Sequence, residues 1–264
     1  MNHFLRIIKN KERMQKYFDL LKVMTEKEIK VHYKGARLGF VWLFLEPILQ
    51  MLVIGIVFSF FIKIPNYFLF LLVGLLPWTF FSLSVTRATN SIVHERSLLH
   101  KAKFPVAVIP ISVVLSNFFN IILVFCVVFV LIVVTGNLTF LSLLLLLITL
   151  IWLIFITIGV SLFTSSLQVR FRDINFVVQA GILLLFYSTP VLYSITLIPQ
   201  HLQIVFALNP LSTIFEILHF LISGGNIYNI QIGIVLSNIL ISVIIFVLGL
   251  ISYEREHNSF VDYL

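Results

Sequence analysis

The sequence predicts an all-α membrane protein with six transmembrane helices, and three observations lead to this prediction. Hydrophobic residues make up 60% of the 264 residues, whereas charged residues make up only 11%. The mean hydropathy is +1.09, and a water-soluble domain does not have such a composition. The Lys and Arg residues are gathered in short islands between long apolar segments.

Each of these apolar segments is long enough to cross a bilayer, which requires about 20 predominantly apolar residues. Six segments meet this requirement, at residues 40–62, 68–85, 106–134, 140–167, 176–197 and 230–252. We therefore divide the chain into a cytoplasmic amphipathic N-terminal region, residues 1–39, and a single six-span domain, residues 40–264. The N-terminal region carries charges throughout and lacks the uninterrupted apolar core of a secretory signal, so we expect no cleavage.

The basic residues predict how the spans are oriented. Of the 18 Lys and Arg residues, ten lie in the first 40 positions, four between 87 and 103, two at 170 and 172, and one at 255. Basic residues near span ends favour the cytoplasmic side, so both termini are expected in the cytoplasm. Only Lys63 falls on the opposite side. Anionic lipid headgroups then explain the net charge of +7, and we expect no nucleic-acid partner.

An amphipathic helix is predicted ahead of the first span. Tyr17, Leu21 and Met24 recur at helical spacing, with Phe18 and Leu20 beside them. The opposing face is charged and comprises Lys16, Asp19, Lys22, Glu26 and Lys27. This pattern is typical of a helix that lies on the inner membrane surface. The alternative is a helix packed on a soluble partner.

A helical hairpin is predicted between the fifth and sixth spans. Residues 202–208 and 211–222 are apolar but too short to span, and Asn209 and Pro210 separate them. Asn209 suits an N-cap, Pro210 suits the first helical position, and Gly224-Gly225 follows the end. One face is apolar: Leu211, Ile214, Phe215, Leu218 and Ile222. Off that face lie Ser212, Thr213, Glu216 and His219. We expect a re-entrant hairpin in the outer leaflet; the alternative is one more, kinked span.

Motifs for catalysis, nucleotide binding and metal binding are missing from the sequence. No Gly-rich loop ends in Gly-Lys-Ser/Thr, the seven His residues show no paired ligand spacing, and Cys126 is the single cysteine. Ion-coupled transporters keep ionisable residues at membrane depth, but the centres of these spans have none. The nearest is Glu46, followed by Pro47, within about two turns of the cytoplasmic start of the first span. We therefore expect no catalytic residue, cofactor or metal in this chain, and an energy source in another chain.

Seven short motifs resemble, in the same order, those of the permeases of type-2 ABC exporters, and the resemblance covers the chain from about residue 17 to the tail. They are Tyr33-Lys34 with Gly39-Phe40-Val41-Trp42 and Glu46-Pro47, Gly74-Leu75-Leu76-Pro77-Trp78, Arg87-Ala88-Thr89-Asn90-Ser91, Lys103-Phe104-Pro105, Val169-Arg170-Phe171-Arg172-Asp173, Thr189-Pro190-Val191 and Leu208-Asn209-Pro210-Leu211. The most similar branch exports O-antigen or teichoic-acid polysaccharides on an undecaprenyl-diphosphate anchor. One departure is Ser194, where relatives often carry a second proline.

The resemblance implies a homodimer of six-span subunits in the bacterial cytoplasmic (inner) membrane, with two copies of a separate ATP-binding ABC subunit that hold ATP and Mg²⁺. It implies that the loop at residues 94–104 and the N-terminal helix contact that subunit. The candidate coupling residues in this loop are Glu95, Arg96, Leu98, Leu99, Lys101, Lys103 and Phe104.

The resemblance also implies that the hairpin caps the outer mouth of the channel and that the first and fifth spans line it. The hairpin candidates are Asn209, Pro210, Phe215, Glu216 and His219. The channel-lining candidates are Phe58, Phe61, Phe186 and Tyr187, because aromatic faces can stack on sugar rings. Lipid-facing or core packing is the alternative explanation for these aromatic residues.

The function indicated is therefore that of a channel subunit for export of a lipid-linked polysaccharide. A type-2 ABC permease for a drug or small lipid is an alternative of the same class. A membrane enzyme of envelope glycan assembly would need catalytic groups on the outer loops, which offer only His201, Glu216 and His219. An ion-coupled secondary transporter is disfavoured because the span centres lack ionisable residues.

Overall fold

The structure is a computed structural model that describes residues 11–33, 39–101, 104–223 and 231–256. Within these ranges it contains helices and no β-strand. The helices are α1 Lys11–Tyr33, α2 Trp42–Phe58, α3 Tyr67–His94, α4 Arg96–Lys101, α5 Val108–Ser116, α6 Phe118–Val134, α7 Phe140–Arg170, α8 Ile174–Ser188, α9 Gln200–Ala207, α10 Pro210–Ser223 and α11 Ile232–Glu256. Short 3₁₀ turns lie at Gly39–Val41 and Ile195–Leu197. The predicted all-α class is confirmed.

Four helical segments of the described chain are long and apolar enough to cross a membrane. They are α3, the α5–α6 segment Val108–Val134, α7, and Ile232–Arg255 of α11. Helices α2 and α8, which correspond to the predicted first and fifth spans, contain 17 and 15 residues. At about 1.5 Å per residue they fall short of a hydrocarbon core about 30 Å thick. Four predicted spans are therefore confirmed by length and composition, and the total of six stays a prediction.

The third predicted span is broken, which the sequence analysis did not anticipate. Asn117 separates α5 from α6 and has non-helical backbone angles, φ −86° and ψ 13°. Its side chain donates to Ser84 Oγ at 2.8 Å and accepts from Arg87 Nη1 at 3.2 Å, so it is tied to α3. A buried side-chain amide needs hydrogen-bond partners. The partners of Asn117 lie on α3, at the point where the α5–α6 segment is interrupted.

Helix α3 is the centre of the fold. It packs against α2, α5, α6, α7, α8 and α10, and 67% of its most apolar stretch is buried, compared with 17% for α11. Helix α7 lies between α3 and α11 and packs on both. The order α3, α7, α11 therefore runs from the centre of the subunit to its edge.

Helix α1 packs against α5 of the same chain. Met24 is 5% exposed and belongs to an apolar cluster with Ile92, Val106 and Tyr253, and Tyr17, Leu20 and Leu21 pack against it. The predicted apolar face therefore exists, except that Phe18 is 57% exposed. Its contacts lie within the chain, whereas its placement on the membrane surface stays a prediction.

The hairpin is formed by α9 and α10, whose axes meet at 102°. Asn209 Oδ1 accepts from the backbone N–H of Leu211 at 3.1 Å, its Nδ2 donates to Thr189 Oγ1 at 2.9 Å, and Pro210 is the first residue of α10. The predicted break is confirmed. Ser212, Thr213 and His219, which lie off the apolar face, are buried as well, because neighbouring helices also enclose α10 on that side. Gly224 and Gly225 lie outside the described residues, and the re-entrant position stays a prediction.

Candidate functional site

A groove of about 530 Å³ lies between α2, α3 and α8. Half of its lining residues are polar: Glu46, Gln50, Thr79, Ser82, Thr86 and Gln179. The other half are apolar: Ile54, Trp78, Leu83, Ile182, Leu183 and Phe186. The groove thus unites the predicted first and fifth spans with the central helix, and its wall is far more polar than the surfaces around it.

Helical spacing places the polar residues on one side of their helices. Thr79, Ser82 and Thr86 are three and four residues apart on α3, so they line one stripe. Thr79 Oγ1 donates to Leu75 O at 2.8 Å, which leaves the hydroxyl oxygen as an acceptor. Ionisable and polar side chains at membrane depth face a bundle interior or a water-filled path, because exposure to lipid is costly. This stripe is therefore a poor lipid-facing surface.

Across the groove, Glu46 and Gln50 are four residues apart on α2, and Gln50 Nε2 lies 3.5 Å from Glu46 Oε1. This contact is at the limit of a hydrogen bond, so both groups keep most of their hydrogen-bonding capacity. A carboxylate and an amide offer acceptors and donors to a hydroxylated ligand.

Aromatic rings contribute to the same wall. The rings of Trp78 and Phe186 are 5.2 Å apart with an interplanar angle of 53°. The predicted channel residue Phe186 therefore lies in the groove. Tyr187 is 60% exposed beside it, whereas Phe58 and Phe61, 38% and 80% exposed, lie at and beyond the end of α2. These three residues are outside the groove lining, and their role stays a prediction.

Five polar groove residues were not predicted from the sequence. They are Gln50, Thr79, Ser82, Thr86 and Gln179. The three residues on α3 could have been recognised from the sequence, because hydroxyl residues spaced three and four positions apart in an apolar span lie on one face of the helix. No comparable pattern marks Gln179, which is reached only through the packing of α8 on α3.

The predicted coupling loop contains the short helix α4. Arg96 is exposed there, but Glu95 is paired with Lys27 of α1 at 2.5 Å. Leu98, Leu99 and Phe104 are half-buried and pack on the cluster that contains Met24. Lys103 and the side chain of Lys101 lie outside the described part of the structure. Much of the predicted docking surface therefore holds α4 to its own chain, and a partner would meet mainly the exposed side that carries Arg96.

A second ion pair joins α1 to α3. Arg87 Nη2 lies 3.2 Å from Glu28 Oε2, and the two side chains are 20% and 14% exposed. Together with the Lys27–Glu95 pair, it fixes α1 to the end of α3 next to α4. Thr86, which lines the groove, is the neighbour of Arg87 in the chain. A displacement of α1 or α4 would thus be transmitted to the helix that forms the groove wall.

The hairpin candidates differ in accessibility. Phe215 is fully buried, and His219 is stacked on Phe70 at 3.7 Å with Nε2 3.1 Å from Phe70 O. Both are packing residues in this structure. Glu216 is half-buried and lines a separate pocket. Asn209 and Pro210 form the corner between α9 and α10.

Among the residues that the structure describes, no three His, Cys, Asp or Glu side chains come together in a group able to hold a metal ion.

Comparison with known proteins places these features in a family. The sequence model of the ABC-2 type transporter matches residues 19–222. A protein named O-antigen export system permease protein RfbA, from Klebsiella pneumoniae, is 33% identical over 260 residues, which cover 97% of this chain and 99% of the relative. A protein of the same name from Myxococcus xanthus is 36% identical over 202 residues, covering 75% and 78%. This chain therefore belongs to the ABC-2 type transporter membrane family, and it is a transporter's membrane subunit rather than an enzyme.

Proposed function

We propose that this chain is the transmembrane channel subunit of an ATP-driven exporter that moves a lipid-linked polysaccharide across the bacterial cytoplasmic membrane. The observation that carries the proposal is the groove between α2, α3 and α8, where six polar side chains and the two aromatic rings of Trp78 and Phe186 line one wall. Similarity to proteins named O-antigen export permeases supports a polysaccharide of the O-antigen type, and the resemblance of the sequence motifs adds the teichoic-acid type as a related candidate.

Two copies of the chain, with their grooves face to face, would enclose the path. The hydroxyl oxygens on α3 and the carboxylate and amides opposite them offer hydrogen bonds to sugar hydroxyls, and Trp78 and Phe186 offer ring faces. Each contact is weak, and a transport path must bind its cargo well enough to admit it and weakly enough to release it. A wall of many weak contacts suits a polymer that slides.

The energy would come from two copies of a separate ATP-binding subunit, which hold ATP and Mg²⁺. We place their docking site on the exposed side of α4, with both termini of this chain in the cytoplasm. The ion pairs Lys27–Glu95 and Glu28–Arg87 would carry the motion of α4 and α1 to α3. The hairpin would cap the outer mouth, and an undecaprenyl-diphosphate anchor would remain in the lipid beside the path.

A type-2 permease for a drug or small lipid is the second candidate. Such a cargo is largely apolar, and an apolar wall would bind it better than one in which half of the lining residues are polar. The polar stripe on α3 therefore favours a hydroxylated polymer.

The test removes the hydroxyls without changing the size of the wall. In the triple variant Thr79→Val, Ser82→Ala, Thr86→Val, we expect polysaccharide export to fall at least about tenfold, because three hydrogen-bonding groups are lost and even the lower value of about 0.5 kcal/mol each sums to about 1.5 kcal/mol. Copurification with the ATPase subunit should be unchanged. The matched control is Thr149→Val on α7, a buried hydroxyl bonded to Leu145 O at 2.7 Å. Export at the normal rate in the triple variant would contradict the assignment of the groove.

A further inference from the structure

A second pocket, of about 250 Å³, lies between α9, α10 and the start of α11. Its polar lining consists of Gln200, Gln203, Thr213, Glu216 and Gln231. Glu216 forms no ion pair or hydrogen bond with any residue that the structure describes. The sequence from 173 to 254 contains no Lys or Arg. The pocket therefore holds a half-buried carboxylate for which this part of the chain supplies no ammonium or guanidinium group.

An independent observation lies directly behind the pocket. Asn238 is fully buried, and its Nδ2 donates at 2.6 Å both to Ala207 O and to Thr213 Oγ1, two residues of the pocket lining. Its Oδ1 accepts no hydrogen bond. Buried acceptors normally have a donor, so a polar group held against two lining residues lacks one of its partners.

The remaining groups are also arranged to accept hydrogen bonds. Gln203 Nε2 donates to Ile198 O at 2.8 Å, which leaves its carbonyl oxygen available as an acceptor. The pocket thus combines one carboxylate with several neutral acceptors. A compact cation that carries several N–H donors fits this combination, and a primary ammonium group has three of them.

The surroundings of the pocket indicate where the ammonium comes from. Ile204 and Val205 on α9 are 62% and 63% exposed, and Ile232, Leu236 and Leu240 on α11 are 61–76% exposed. Helix α11 packs mainly on α7 and α10, and the helices that form the groove, α2, α3 and α8, are not among its main partners. If the groove faces the second copy, as proposed above, this apolar surface faces lipid.

We propose that the pocket between α9, α10 and α11 binds the primary ammonium headgroup of an outer-leaflet phospholipid. The acyl chains would lie along the exposed apolar sides of α9 and α11. The bound headgroup would join the hairpin to α11 and hold the cap in place. The inference rests on the proposed function for the direction in which α11 faces and for the position of the hairpin at the outer side of the membrane.

The test uses the full chain with its ATPase subunit, delipidated in detergent and titrated with single phospholipids, and native mass spectrometry counts the lipids retained. Phosphatidylethanolamine should be retained in preference to phosphatidylcholine, which has a cation without N–H donors, and to phosphatidylglycerol, which has no cation. We expect Glu216→Gln to weaken phosphatidylethanolamine retention about tenfold. The matched control is Glu26→Gln, because Glu26 is an exposed carboxylate on α1.

Gln200→Ala provides a second variant in case Glu216→Gln disturbs folding, since Gln200 is exposed at the rim of the pocket. Gln200→Ala should lower the preference for phosphatidylethanolamine over the other two lipids by a few-fold. Equal retention of the three lipids overturns the proposal. The proposal is also overturned if glucosamine displaces the bound lipids and phosphatidylethanolamine is not preferred. In that case the pocket would bind the ammonium group of an amino sugar. Lipid retention and polysaccharide export are measured separately. If the lipid preference is not observed, the groove proposal is unaffected, and if the groove variant exports normally, the lipid preference can still be measured.

Discussion

The crossing of α7 and α11 provides the sharpest quantitative prediction. Gly159 and Gly249 meet there, and a Cβ atom added at Gly249 would lie 2.4 Å from Gly159 O and 3.3 Å from its carbonyl carbon. Small residues let membrane helices approach closely. Because the obstructing atoms belong to the backbone, no side-chain rotation can relieve the contact in Gly249→Ala.

The size of the effect follows from the distances. Non-bonded heavy atoms pack at about 3.5–4.0 Å, so the two helices have to separate locally by about 1 Å. The same interface holds the stacked rings of Phe155 and Phe246, 4.3 Å apart, and the bond from Trp152 Nε1 to Ser242 Oγ, 2.8 Å. Because backbone atoms obstruct the added carbon, the upper part of the overpacking cost applies, about 2–3 kcal/mol, and the better helix propensity of alanine offsets about 1 kcal/mol. We expect a net loss of about 1–2 kcal/mol.

Thermal unfolding of the purified protein in detergent measures this loss. At about 2–4 °C per kcal/mol, the midpoint of Gly249→Ala should fall by about 2–8 °C. Gly233→Ala is the matched control, because it lies on the same helix and a Cβ atom there meets nothing within 4 Å; its midpoint should rise slightly through helix propensity. If the two variants unfold at the same temperature, the close crossing of α7 and α11 is refuted.

Three further predictions concern the ion pairs, the topology and the coupling helix. Arg87→Leu leaves Glu28 half-buried without its partner and should weaken the docking of α1 by about 2 kcal/mol, measured as faster proteolytic release of α1; an unchanged rate would contradict this role of the pair. A single cysteine at Asn137 should react with an impermeant reagent from outside the cell, and one at Ser97 only after permeabilisation; labelling of Ser97 from outside would reverse the proposed orientation. Arg96→Glu should reduce copurification of the ATPase subunit several-fold without loss of membrane insertion, and normal copurification would remove the exposed side of α4 from the docking site.

The features that the sequence predicted well are those that depend on one residue at a time or on length alone. A span of apolar residues is recognised without knowing which face it buries, and α3, α7 and α11 were located in this way. The corner between α9 and α10 was also predictable, because Asn209 and Pro210 have specific local roles, as N-cap and as first helical residue, that need no tertiary partner.

The features that the sequence did not reveal depend on contacts between distant segments. Asn117 breaks α5 from α6 while it bonds to Ser84 and Arg87 of α3, and no local pattern around it predicts those partners. The loop at residues 94–104 was predicted to contact the ATP-binding subunit, which stays a prediction, and the structure adds that Leu98 and Leu99 pack on the cluster that includes Met24. Apolar residues in a loop are equally suited to a partner chain and to the chain's own helix, and only the fold distinguishes the two.

The face that a wholly apolar helix turns inward was the hardest feature to predict, and it determines the site. The aromatic candidates were chosen by residue type, and of these Phe186 lies in the groove. The polar stripe of α3 is more informative. Moving a hydroxyl group from water into hydrocarbon costs free energy because the group loses its hydrogen-bond partners in water, whereas an aromatic ring packs equally well against lipid and against a channel wall. A groove that contains Glu46, Gln50 and Gln179 is accordingly costly to expose to acyl chains. A second copy of the chain placed over it would exclude lipid from those groups and leave water or cargo as their partner. The polar wall is thus an argument for the proposed homodimer as well as for the path, and both inferences depend on the same three helices.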